Sequence, residues 1–153
     1  MSSEIDYPRE TLRALAVHDA DWFLQSLVMM ANGPNVIIGV TLLVKGALVS
    51  GQIVGGAEYF KKLGKQFGIA VGMPEEEGAA LFKSIIDKIY TKPEPEDEAE
   101  GDDDPSPGFI HLKNARVFQG TALVPTGQAD VLWRGKLAEV DGFILGELSS
   151  PRS

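Results

Sequence analysis

From Phe109 to Leu148 the chain reads FIHLKNARVF and then, after thirteen further residues, LWRGKLAEVDGFILGEL. Strand-length apolar runs, alternation of apolar and polar residues, and glycines where a strand must turn or bulge all describe a sheet. The spacing predicts strands over Phe109–Phe118, Val131–Leu137 and Val140–Leu148, with a loop from Gln119 to Asp130. The rest of the chain is placed by how it completes that sheet.

Upstream, Tyr7-Pro8 puts a proline where a helix can begin, and Arg9–Ala31 has helix-forming composition. Ala20, Phe23, Leu24, Leu27, Val28 and Ala31 share one helical face. The shorter stripe of Leu12, Leu15 and Ala16 would bury Asp19 if continued. The sequence therefore predicts a break near His18-Asp19, with Asp19 capping the second piece. Asn32-Gly33-Pro34 then ends the helix.

Val36–Val44, VIIGVTLLV, is apolar on both faces, as in a strand covered on each side. Ala47–Val54 answers it across Lys45-Gly46, which predicts a tight hairpin with a bulge or bend at Gly51. Gly55-Gly56 leads into a helix over Ala57–Phe67 that aligns Phe60, Leu63 and Phe67. A glycine-rich link, GIAVGM, reaches Pro74 and a second helix. Glu75, Glu76 and Glu77 occupy its positive end, where each acid contributes about 0.3–1 kcal/mol at best. Gly78, Leu81, Phe82, Ile85, Ile86 and Ile89 give that helix an apolar face expected to pack on the sheet. The reading is an α+β fold in a single domain over residues 1–153. It has about five mostly antiparallel strands, an N-terminal helix and two inserted helices.

Charge is distributed unevenly. The net charge is −8, yet Glu94, Glu96, Asp97, Glu98, Glu100, Asp102, Asp103 and Asp104 fall between Pro93 and Pro107 with no base among them. Without those eight, 14 acidic residues face 14 basic ones, so the body is formally neutral and easily tipped into self-association. The segment from Thr91 to Gly108 also holds four prolines, and it is expected to form a flexible acidic linker reaching up to roughly 50 Å.

Several chemistries find no support in these residues. There is no cysteine, which excludes disulfides, thiolate nucleophiles and Cys-ligated zinc. His18 and His111 lack a neighbouring nucleophile motif, and no H-x-x-x-H pair holds a metal, so no catalytic residue, metal or cofactor is expected. GQIVGG, Gly51–Gly56, lacks the order of a phosphate-binding loop, and the acid run lacks the ligand spacing of a calcium loop. The polar start MSSEIDYPRE is unlike a secretory signal, and Val36–Val44 is far shorter than the ~20 residues of a membrane span; the expected location is the cytoplasm. The candidate binding residues are Lys113, Arg116, Arg134 and Lys136. Arg134 and Lys136 lie two apart and so share a strand face, opposite Trp133. They read either as ordinary surface charge or as a cationic patch that receives an acidic segment, from this chain or a partner.

Over Phe109–Leu148, including Trp133-Arg134-Gly135-Lys136 and Val140-Asp141-Gly142-Phe143, and more weakly over Val40–Phe60, the chain closely resembles gas vesicle accessory proteins of the GvpU family. The resemblance implies a non-enzymatic protein that associates with gas vesicles in the cytoplasm, contacts the shell protein, and draws vesicles into clusters by associating with itself. Such association, as a homo-oligomer or a condensate, needs many weak contacts rather than one tight site. The order of helix, bent hairpin and further strands is also loosely similar to small Sm-like barrels, which keeps a nucleic-acid-binding module as the alternative. A sequence pI near 4.7 argues against that alternative.

Overall fold

The computed structural model describes residues 20–33, 36–89, 107–120, 122–124 and 130–148. Among these, three helices and six strands follow in the order α1 (Trp22–Ala31), β1 (Ile38–Val44), β2 (Ala47–Val54), α2 (Gly56–Ala70), α3 (Glu75–Ile89), β3 (Phe109–Gln119), β4 (Ala122–Val124), β5 (Trp133–Lys136), a 3-10 turn (Leu137–Glu139) and β6 (Gly142–Leu145). The fold is α+β. The expected breaks and linkers at 1–19, 90–106, 125–129 and 149–153 lie outside the described residues.

The hairpin forms for the reason its sequence implies. Lys45 and Gly46 both take positive φ, 50° and 83°, the geometry of a two-residue turn whose twist matches the strands it joins. Register then runs from Val44↔Ala47 to Ile38↔Ile53. β3 pairs antiparallel with β2, and β6 with the far side of β1, giving an antiparallel sheet five strands wide in the order β4–β3–β2–β1–β6. β5 shares the outer side of β3 with β4: β5 pairs with Phe109–Leu112, and β4 with Val117–Gln119. The sheet stays open, because no pairing joins its outer strands among the described residues; the Sm-like barrel is not what the chain builds.

Two faces of this sheet differ in character. Register places Val40, Leu42, Val49, Ile53, Ile110 and Leu112 on one face, where α1 covers them with Leu24, Leu27, Val28 and Ala31. Each large aliphatic chain buried this way contributes about 1.5–3 kcal/mol. Phe23 stacks on Phe143 at 5.9 Å along the rim. The other face is covered partly by α2, whose Tyr59 and Phe60 lie against His111, and partly by polar backbone that sequence reading did not foresee. After β6, Gly146 at φ 108° turns the chain across Thr41 and Ser50. The Thr41 hydroxyl donates to the Gly146 carbonyl at 2.8 Å, and the Leu148 amide donates to Ser50 Oγ at 2.7 Å.

Several boundaries depart from expectation. The cap of α1 is Asp21, not Asp19: its carboxylate accepts from the amides of Phe23 and Leu24 at 2.8 and 3.2 Å. Both aspartates stand near the start of the apolar run, and Asp21 is the one next to Trp22, where the helix begins. The glycine-rich link is half helix, since α2 continues through Gly68 to Ala70. α3 packs along α2 rather than on the sheet. Gly64 and Gly68 meet Gly78 across that contact, where an added Cβ at Gly78 would strike Gly68 backbone at 2.8 Å. Phe67 and Phe82 pack edge to face beside it, at 5.7 Å. Without side chains at the crossing, the two backbones approach closely, and Phe82 of α3 lies against α2 while Leu81 stays exposed.

Candidate functional site

The four basic residues singled out from the sequence are brought onto one sheet face, and a β-bulge is the reason. Residues three apart in a regular strand point to opposite faces, which would separate Lys113 from Arg116. Here Ser50 faces Arg116 and Gln52 faces Lys113, so the single residue Gly51 opposes both Asn114 and Ala115. The extra residue belongs to β3, with Asn114 at φ 49°, while Gly51 only makes room. A Cβ on Gly51 would lie 2.9 Å from the Lys113 carbonyl oxygen. In the other half of β3, His111 pairs with Arg134 and Phe109 with Lys136. Partners in register share a face, so Arg134 and Lys136 join Lys113 and Arg116 on the side opposite the α1-covered core.

The four are not equivalent. Lys113 Nζ lies 3.4 Å from Glu58 of α2. Arg116 Nη1 donates to the Leu148 carbonyl at 3.3 Å, holding the chain that crosses this face. Arg134 lies over Phe109, its guanidinium carbon 3.6 Å from the ring centroid, with Phe60 at 5.8 Å. Its Nε donates to His111 Nε2 at 3.2 Å. Lys136 is exposed.

His111 explains that last hydrogen bond. It is 3% exposed, with the rings of Tyr59 and Phe60 centred 4.6 and 5.8 Å away. Burial, and then the adjacent Arg134 charge, lower its pKa from 6.5 to about 4. At neutral pH the ring is therefore uncharged, so Nε2 can accept from Arg134 while Nδ1 carries the proton. Sequence reading placed His111 in a strand without seeing this role; its alternation with Phe109 and Lys113 was visible, but its pairing with Arg134, 23 residues away, was not. Two nearby acids are occupied elsewhere: Glu139 pairs with Lys45 at 3.1 Å, and Asp141 accepts from the Lys45 amide at 3.0 Å.

Among the described residues no group of three His, Cys, Asp or Glu side chains could hold a metal ion. No described helix is long and apolar enough to cross a membrane. A hollow of about 330 Å³ lies between α2 and the bulge, lined in part by Gln52, Gln66, Lys113 and Leu132.

These features define an α+β domain with an open antiparallel sheet and a solvent-facing basic shelf braced by aromatic rings. The family model described as "Gas vesicle protein GvpU-like" matches residues 21–148, and the chain belongs to that family of gas vesicle proteins. No curated protein and no solved structure matches the chain.

Proposed function

We propose that this protein is a non-enzymatic gas vesicle accessory that binds the vesicle shell in the cytoplasm and gathers vesicles through weak, repeated self-association. The observation that carries this reading is the family match, which extends over the sheet, all three helices and the basic shelf together. Two surface features support it. The outer edge of β6 has no strand beside it among the described residues, and its Ile144 and Leu145 are 64% and 60% exposed. An open edge with apolar side chains favours contact with another chain. The basic shelf supplies the second kind of contact, toward an acidic segment of shell or partner. Contacts of this sort are individually weak and gain strength when a large particle presents many of them.

Flotation tests this directly. Purified gas vesicles mixed with the protein should carry it upward on centrifugation and should cluster visibly in turbidity. Protein that stays below the vesicle layer at every ionic strength would overturn the proposal. The alternative of a nucleic-acid module loses its architectural ground with the open sheet, and filter binding at low salt would separate it.

A further inference from the structure

Of the four shelf residues, Lys113 and Arg116 are already engaged within the fold. Arg134 and Lys136 form no ion pair with a described carboxylate. Both stand on β5, which pairs with β3 along one side only; its other side is an unpaired edge among the described residues. Arg134 is held in place by Phe109 beneath it and by His111 at Nε, and no described carboxylate takes its terminal amino groups. An edge strand with two cations at alternate positions asks for an extended segment with anions at alternate positions, since residues i and i+2 of a strand lie about 6.8 Å apart on one face.

The chain itself contains such a segment. Glu94, Glu96, Glu98, Glu100, Asp102 and Asp104 fall at every second position. Between Pro95 and Gly101 the run Glu96-Asp97-Glu98-Ala99-Glu100 has no proline to interrupt a ladder of hydrogen bonds and is as long as β5 requires. We propose that the outer edge of β5 is a strand-addition site, and that its occupant is the acid run of a second copy of this chain, with alternate glutamates facing Arg134 and Lys136. The contact is head to tail, because edge and acid run are different surfaces: each copy gives one strand and receives one. Such a contact closes into rings or extends into open assemblies, according to the rotation it sets between copies. This deepens the self-association reading above and rests on it.

A charge exchange in the full chain tests the proposal. One variant carries R134E and K136E; the other carries E96K, E98K and E100K. Each alone sets like charges against each other and should weaken self-association at least about ten-fold by light scattering or sedimentation. Mixed in equal amounts, the acid run of the first meets the basic edge of the second and the reverse, so association should return toward the wild-type level. The milder K136Q, at an exposed position, should weaken association while keeping the urea midpoint near that of wild type, which guards against a folding defect. Unimpaired association of both charge-reversed variants, or a mixture no stickier than its components, overturns strand addition between copies. If wild type still floats with vesicles in that case, only this inference fails. If wild type neither associates nor floats, the functional reading fails with it.

Discussion

An uncharged His111 should make the fold sensitive to mild acid. Its pKa is lowered from 6.5 to about 4, so the folded protein takes up this proton less readily than the unfolded chain. The stability involved is fully present above about pH 6.5, is lost as pH falls toward about 4, and declines no further below that. The interval corresponds to about 3 kcal/mol in all, with a slope of up to about 1.4 kcal/mol per pH unit. The structural cause is double. Protonation would put a cation among buried rings and would remove the acceptor that Arg134 Nε now uses at 3.2 Å. Urea unfolding followed by tryptophan emission between about pH 7 and about pH 4.5 measures the effect. His111→Gln serves as the control, since its amide oxygen can still accept from Arg134 but does not titrate. Carboxylates common to both proteins cancel in the difference. Wild type should lose about 2–3 kcal/mol more than the variant across this range. Equal losses, or an imidazole resonance of His111 that titrates near its ordinary value, would refute the reasoning.

Three further outcomes are expected. Gly78→Ala should destabilise the α2–α3 hairpin by about 1–3 kcal/mol, because its Cβ would meet the backbone of Gly64 and Gly68; amide exchange in α3 should accelerate. Asp21→Ala should cost about 0.5–2 kcal/mol in thermal unfolding through loss of the α1 cap, and Asp21→Ser should recover most of it. Self-association should weaken as salt rises, since exposed charges are screened beyond about 8–10 Å at physiological ionic strength. Deleting residues 93–107 should shift the oligomer distribution; an unchanged distribution in light scattering would reduce that segment to a spacer.

Legibility followed the range of each interaction. The β1–β2 hairpin was readable because Lys45-Gly46 and the flanking apolar runs act within a few residues of one another. The apolar face of α1 was readable for the same reason, although two candidate aspartates made its first turn ambiguous. The destination of α3 was not readable. An apolar helix face satisfies a sheet or another helix equally well, and the preference for α2 depends on glycines brought together from both helices. In the candidate site, Arg134 and Lys136 could be placed on one side from their spacing alone. Lys113 and Arg116 could not, since their spacing in a regular strand argues the opposite.

Composition and periodicity by themselves determined an α+β class, acid charge gathered in one run of the chain, and the strands and helices that local pattern can specify. Tertiary structure alone decided that the sheet remains open, that a bulge at Asn114-Ala115 gathers four cations on one face, and that His111 stays neutral beneath Arg134. The reason is that a side chain's face follows from strand register. Register is set by hydrogen bonds and packing between residues far apart in the chain, which no window along the sequence contains.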